Sequence, residues 1–489
     1  MAATPHSSRL IAIFKEDIGP SLLKSKGIKA NELSGKQKEI TDLFKGAGIT
    51  ITPLTREPEK IKALQQMGIS VANQPATRLD RFYSIQTEDP ADLEAINARL
   101  KELDVIEASY YKPLSTPPLF LGGVHAGSLK RAGTSLKLTD DLSSHQTYLN
   151  AAPDGVDARF AWTIVGGRGK GVKVIDVEGG WNLIHEDLSE NSLGLLAGFN
   201  YNEYDWFQHG TAVLGEMGGD ANKMGIEGIC PEASIGAISV FENSNLNENT
   251  SAAIIHAANT LEPGDILLLE QHRPGPASID PSDGSQQGFI AIEWWPDDFA
   301  AIQYATAKGI IVIEAAGNGA ENLDSSIYDT PQEGFPDWWV NPFKRQEGMD
   351  SGAIIVGAGA PPPGTNGQNW GPARSRLDFS NYGSCVDVQG WGRSVTTAGY
   401  GDITGETGDD MTQWYTDSFA GTSSASPIVT GVAACLQGIQ RAAGRPLLTP
   451  LQLRELLHIT GSAQQDAPGA PKTENIGNLP DLQQLIASL

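Results

Sequence analysis

Two apolar runs decide the predicted fold: Asp265-Ile-Leu-Leu-Leu269 and Gly309-Ile-Ile-Val-Ile-Glu-Ala315. Each has the length and composition of a fully buried strand, and residues 297–308 before the second run have the pattern of a helix. Further buried strands are predicted over 171–176 and 233–241. Strands that alternate with helices are typical of a mainly parallel sheet covered on both faces, so we expect a three-layer α/β domain.

The first 112 residues predict a separate, smaller α+β domain. Short strands are expected at 9–14, 49–52, 82–86 and 105–111, with one amphipathic helix before the last of them. Residues 113–145 are rich in Pro, Gly, Ser and Thr, which predicts a linker and a processing region. The expected organisation is therefore 1–112, a linker over 113–145, and the α/β domain over 146–489.

Composition excludes several classes of function. The chain has 35 basic and 59 acidic residues, a formal charge of −24, and this surface repels nucleic acid and anionic membranes. No run approaches the ~20 apolar residues of a membrane span, and the N-terminus lacks a signal-peptide pattern. We therefore expect a cytoplasmic protein, one exported by a non-classical route, or a chain whose leader was removed. The three cysteines predict buried thiols, although one disulfide stays open.

Three short motifs carry side chains suited to acyl transfer. Asp176 ends an apolar strand, His209 stands in His-Gly-Thr at the start of a predicted helix, and Ser423 lies in Gly421-Thr-Ser-Ser-Ala-Ser-Pro427. A serine hydroxyl needs a histidine to take its proton, and the histidine needs a carboxylate to orient it. Asn318, in Glu-Ala-Ala-Gly-Asn, follows another buried strand, where its amide could donate to an oxyanion.

Together these motifs resemble the subtilisin family of serine peptidases, in the family's chain order. The resemblance covers Gln146 to Leu489 and implies a catalytic triad of Asp176, His209 and Ser423 with Asn318 in the oxyanion hole. It implies a subtilisin-like fold and no required cofactor. The N-terminal domain resembles the family's ferredoxin-like propeptide, which acts as an intramolecular inhibitor and is removed by self-cleavage.

One segment departs from the family. Where the substrate-binding strand usually has Ser-Leu-Gly-Gly, this chain has Glu270-Gln271-His272-Arg273. Substrate contacts are expected from Glu270, Gln271, His272, Glu314, Ala315 and Gly317. The two acids suggest a preference for a basic residue before the scissile bond, but internal pairing of one or both with Arg273 or another base is the favoured interpretation.

Metal binding is not expected at the catalytic site. Structural calcium stays open near Asp409-Asp410, since calcium takes several oxygen ligands, and His185-Glu-Asp187 is better explained as the family's stretch after the catalytic acid. Trp294-Trp295 is expected to pack against the following helix rather than border the cleft.

The sequence therefore predicts a serine endopeptidase that acts on protein or peptide substrates and is made as a self-processing precursor. Two alternatives stay open. A peptide amine replacing water as acceptor would make the protein a transpeptidase or macrocyclase, and a permanently closed cleft would make it a non-catalytic binding protein.

Overall fold

The computed structural model describes residues 8–15, 49–55, 70–71, 74–75, 79–87, 92–118, 139–279, 285–346, 348–403 and 410–489. Asp89-Pro90 has the pattern of an N-cap followed by proline, which predicts the start of the amphipathic helix, and both residues lie outside the described ranges. Of the acidic pair Asp409-Asp410, only Asp410 is described. None of the helices in the described ranges combines the length and apolar character needed to cross a bilayer. All three cysteines are buried free thiols.

The N-terminal unit is an antiparallel sheet with a helix on one face. Its strands are β1 Ser8–Phe14, β2 Thr50–Pro53, β3 Ser70–Val71, β4 Gln74–Pro75, β5 Phe82–Gln86 and β6 Ile106–Pro113, and its described helix is α1 Asp92–Lys101. Four strands pair in the order β2-β5-β1-β6. Leu93, Ile96 and Leu100 of α1 cover one face of this sheet. The α+β class is as predicted, and ferredoxin-like connectivity stays a prediction.

The larger unit is built on a seven-stranded parallel sheet of order β15-β14-β13-β10-β7-β9-β8. Its strands are β7 Lys173–Glu178, β8 Ser192–Ala197, β9 Ser234–Ser239, β10 Ile266–Leu269, β13 Ile311–Ala315, β14 Ile354–Gly359 and β15 Val386–Trp391. Two hairpins complete the strands: β11 His272–Pro274 with β12 Phe289–Ala291, and β16 Val395–Ala398 with β17 Tyr415–Phe419.

Helices cover both faces of the parallel sheet, so the predicted three-layer architecture is confirmed. They are α2 Ala158–Ala161, α3 Tyr204–Gly218, α4 Thr250–Thr260, α5 Pro296–Ala307, α6 Thr422–Ala442, α7 Pro450–Ile459 and α8 Leu482–Ala487. Helices α4 and α5 share one apolar core with the sheet, and α3 and α6 share the other. Thr449 and Gln452 form the capping box that starts α7.

Two element boundaries differ from the prediction near the motifs. Strand β7 continues past Asp176 to Glu178, whose backbone is in register with Ser239 of β9. Helix α3 begins at Tyr204, so His209 lies inside the helix rather than at its start. Both shifts follow from long-range strand pairing and capping that the local sequence pattern does not contain.

The N-terminal sheet packs on helix α5 through a buried polar cluster. Lys112 Nζ contacts Asp297 and lies 2.9 Å from Asp298 Oδ1, and only 3% of the Lys112 side chain is exposed. The Tyr110 hydroxyl donates to Asp297 Oδ1 at 2.8 Å. Lys101 also reaches across to Glu333, at 2.7 Å, but this pair is exposed. The two units therefore meet through one buried ion-pair cluster, at Lys112, and one exposed ion pair, at Lys101.

This difference predicts unequal effects of two matched lysine substitutions. On a Ser423→Ala background, Lys112→Met should lower the free energy of unfolding by about 3–5 kcal/mol, because it leaves the buried Asp297 carboxylate without its cation. Lys101→Met should cost less than about 1 kcal/mol, as exposed ion pairs do. Urea unfolding followed by tryptophan fluorescence measures both. Equal effects would contradict the interface described above.

Candidate active site

Polar side chains gather where three neighbouring strands of the parallel sheet end. Glu178 ends β7, Glu270 follows β10, and Asn318 lies three residues beyond the end of β13. The carboxyl ends of parallel strands share one edge of a sheet, where α/β proteins commonly build their sites. His209 of α3 and Ser423 at the start of α6 reach the same edge from the helical layer.

The carboxylate that contacts His209 is Glu178 and not the expected Asp176. Glu178 Oε2 lies 2.6 Å from His209 Nδ1, and both side chains are fully buried. Asp176 instead accepts a hydrogen bond of 2.7 Å from Trp181 Nε1. Because strand residues alternate between faces, the two acids point to the same side of β7, and the residue at the strand end reaches the histidine.

Asp176 and Glu178 form a coupled pair of buried acids. Burial raises the pKa of both carboxyl groups, and the hydrogen bond between them raises the pKa of Asp176 while it lowers that of Glu178. Asp176 is therefore the acid that keeps its proton. Asp176 Oδ1 and Glu178 Oε1 have no other hydrogen-bond partner in the described part of the chain, and a proton between them satisfies both.

His209 is a neutral imidazole in this buried setting. Burial lowers its pKa to about 3, so the ring carries no charge at neutral pH. Its Nε2 is buried and has no partner among the described residues. The ring packs edge-on against Phe419, with centroids 5.6 Å apart. These contacts hold the imidazole by Nδ1 and leave Nε2 to exchange a proton.

Ser423 lies in the first turn of α6, where free backbone N–H groups and the helix dipole favour negative charge. The preceding Gly421 has φ +113°, a conformation that suits glycine. A Cβ at Gly421 would come within 2.3 Å of the Pro118 carbonyl oxygen. Glycine is thus required for a peptide carbonyl to approach Ser423.

Asn318 is oriented by helix α6. Its Oδ1 accepts hydrogen bonds from Thr422 N at 2.9 Å and Thr422 Oγ1 at 3.0 Å. These bonds fix the amide so that Nδ2 points into the site. His272 Nδ1 accepts from Asn318 N at 3.2 Å and holds the backbone. The predicted oxyanion donor is therefore held on two sides.

The chain's own linker supplies a carbonyl to this site. Pro118 O accepts a hydrogen bond of 2.6 Å from Asn318 Nδ2 and one of 3.1 Å from Ser423 Oγ. Two residues earlier, Thr116 forms an antiparallel bridge with His272, through hydrogen bonds of 3.1 and 3.2 Å. A segment joined to the N-terminal unit therefore lies in the cleft as an extended peptide would.

The six expected substrate-contacting residues divide into four groups. His272 binds the linker through its backbone, and Ala315 and Gly317 form the strand end that leads to Asn318. Gln271 points away, since its Nε2 donates to Val177 O at 2.8 Å. The Glu270 carboxylate accepts from Ser426 Oγ, and Glu314 Oε1 accepts from Glu293 N at 3.1 Å.

Neither acid pairs with Arg273, contrary to the favoured sequence interpretation. Arg273 contacts Glu248 at 2.7 Å and Asp298 at 3.2 Å instead. Burial raises the pKa of both Glu270 and Glu314, which favours their uncharged forms. A basic side chain would therefore meet no ready-made carboxylate partner here.

The remaining motifs are structural in the described structure. Trp294 and Trp295 are buried, and Trp294 packs on Trp339 with centroids 5.1 Å apart. His185 is buried and its Nε2 lies 2.8 Å from Trp414 O. Within the described ranges no group of three or more His, Cys, Asp or Glu side chains is arranged to hold a metal ion.

Sequence reasoning missed three residues at this site: Glu178, Gln286 and Pro118. Glu178 carried a usable signal, because it stands two residues beyond Asp176 and just before Gly179-Gly180. Gln286 donates to Pro117 O at 3.0 Å, and its Oε1 accepts from Asn318 Nδ2 at 3.1 Å. Gln286 and Pro118 belong to loops without a recognisable local pattern.

A comparison with models of known protein families identifies the family to which this chain belongs. Residues 169–476, more than half of the chain, match the model of the subtilase family. The chain belongs to the subtilase family. In this subtilase the matched residues include β7, α3 and α6, the elements that carry Glu178, His209 and Ser423.

Individual relatives of this subtilase are distant. Alkaline protease 1 of Aspergillus clavatus is 25% identical over 304 residues, which is 62% of this chain and 60% of the relative. Subtilisin E of Bacillus subtilis is 25% identical over 337 residues, 68% of this chain and 72% of the relative. One similar solved structure is that of fervidolysin from Fervidobacterium pennivorans, a keratinolytic enzyme related to subtilisin. The alignment covers 90% of this chain and 61% of the fervidolysin chain, with a TM-score of 0.50 and 18% sequence identity. The last comparison supports the fold.

The pairing of His209 with Glu178 generates a test against the sequence prediction. Glu178→Gln should reduce the rate of Ser423 acylation ~10³–10⁴-fold, because the histidine loses the carboxylate that sets its tautomer. Asp176→Asn should stay within about tenfold of wild type, since an amide can accept from Trp181 and donate to Glu178. The rate of labelling by a fluorophosphonate probe measures both variants. A larger loss in Asp176→Asn would restore Asp176 as the orienting acid.

Proposed function

We propose that this subtilase is a serine endopeptidase made as a precursor whose N-terminal domain caps the active site. The observation that carries the proposal is the hydrogen bonding of Pro118 O to both Asn318 Nδ2 and Ser423 Oγ. A carbonyl between an oxyanion donor and a nucleophile occupies the position of a substrate about to be attacked.

The roles of the side chains follow from their contacts. Ser423 attacks the peptide carbonyl, and His209 takes the hydroxyl proton at Nε2 and passes it to the leaving amine. Glu178 holds His209 at Nδ1, and Asp176 forms a coupled pair with Glu178. The Asn318 amide and the Ser423 N–H stabilise the oxyanion, and water then hydrolyses the acyl-enzyme.

The contacts of the N-terminal domain support its role as a cap. Strand β6 is anchored on α5 by Lys112, and Arg273 Nη1 donates to Pro113 O at 2.5 Å. The next five residues run from this anchor to Ser423. Because they fill the strand-binding edge at His272, another peptide cannot pair there until the segment is cut and leaves.

Intact-mass analysis of the purified full-length protein tests the proposal. Wild type should split within 113–145 into two fragments whose masses sum to the chain plus one water, and it should then digest casein. Ser423→Ala should do neither. The matched control is Ser424→Ala, whose hydroxyl donates to Trp391 O at 2.8 Å and faces away from the carbonyl, so processing should persist.

Two outcomes would overturn the proposal. A Ser423→Ala protein that splits and digests casein like wild type would remove Ser423 as the nucleophile. A ligated product without the added water would favour a transpeptidase over a hydrolase.

A further inference from the structure

The linker lies in the cleft in a defined register. Ser115 N donates to Glu248 Oε2 at 2.9 Å, Thr116 pairs with His272, and Pro117 O accepts from Gln286 Nε2 at 3.0 Å. The carbonyl at Asn318 and Ser423 is that of Pro118. Pro118 is consequently the residue before the bond poised for attack, and Leu119 follows it in the sequence.

Proline at this position matches the backbone contacts around it. The ladder between linker and β11 is limited to the Thr116–His272 bridge among the described residues. Proline has no N–H to donate, so Pro117 and Pro118 leave no unpaired donor when they are buried. The side-chain amide of Gln286 donates to the carbonyl of Pro117, and that of Asn318 donates to the carbonyl of Pro118. An ordinary residue at 118 would bring a buried N–H that needs a new acceptor.

Bulky side chains stand on the strand that pairs with the linker. His272 replaces the glycine of the family's segment and is fully buried, with its ring centroid 4.9 Å from that of Phe289. A Cβ on Gly317 would lie 3.4 Å from His272 Cβ, so the two strand ends approach closely. Burial lowers the pKa of His272 to about 3 and keeps it neutral. The rings of His272 and Phe289 therefore occupy space beside the linker. A glycine at position 272 would leave part of that space open.

We propose that this subtilase cleaves peptide bonds after proline, and that Pro118–Leu119 is the first bond it cleaves. The inference rests on the proposed function. Ser423 Oγ bonds to the Pro118 carbonyl carbon, the C–N bond to Leu119 breaks, and His209 delivers the serine proton to the Leu119 nitrogen. Water then hydrolyses the ester, which frees the Pro118 carboxylate and restores the Ser423 hydroxyl.

Two neighbouring prolines provide a matched test in the full-length chain. Wild type should yield a new N-terminus at Leu119. Pro118→Ala should slow self-cleavage about tenfold or more, whereas Pro117→Ala should change it less. A different new terminus, or equal self-cleavage rates for Pro118→Ala and wild type, would overturn the proposal.

Peptides test the specificity without relying on folding of the variants. Processed wild-type enzyme is given peptides that copy residues 113–122, with Pro, Ala, Leu, Phe or Lys at the position of Pro118. The proline peptide should have the highest kcat/KM, by about tenfold or more. Equal or faster cleavage of the leucine, phenylalanine or lysine peptide would overturn the specificity.

Labelling with a fluorophosphonate probe separates the two levels of inference. Labelled Ser423 with cleavage after other residues rejects proline specificity and leaves the peptidase proposal standing. An enzyme that neither reacts with the probe nor cuts any of the peptides rejects both.

Discussion

The position of the Pro118 carbonyl oxygen depends on the arrangement of three distant parts of the chain. Pro118 O is held between Asn318 Nδ2 and Ser423 Oγ, and three separate parts of the chain must be in register for this to occur. Strand β13 must end just before Asn318, helix α6 must begin beside Ser423, and strand β6 must be held so that the linker after it reaches the site. Gly421 is needed because any side chain there would collide with the same oxygen.

Burial determines the chemistry of the groups behind Ser423. Removing carboxylates from water raises their pKa values, and removing a histidine from water lowers its pKa. Asp176 and Glu178 interact as a coupled pair, which favours the proton on Asp176 and leaves Glu178 to accept from His209 Nδ1. Under the proposed function, loss of the cap would admit water and weaken these shifts. The capped and open sites would therefore differ in protonation as well as in access.

The sequence predicts the layers of the fold well because buried strands and amphipathic helices are local patterns. His209, Ser423 and Asn318 follow from motifs in a fixed chain order, and the structure brings them to one edge of the sheet. The sequence places the acid at Asp176, whereas Glu178 is the acid that contacts His209. The two residues share a face of β7, and only pairing with β9 shows where that strand ends. The position of Pro118 depends on the distant Thr116–His272 bridge, for which no local pattern exists.

In the proposed precursor the linker reaches Ser423 of its own chain, and the concentration dependence of self-cleavage tests this most directly. Wild-type protein unfolded in urea is diluted into refolding buffer at concentrations that span about a hundredfold, and the intact fraction is followed by mass. The structure predicts one half-time at every concentration, because an attack within one chain is a unimolecular step. A half-time that lengthens in proportion to dilution would show that cleavage occurs between chains and would contradict the account.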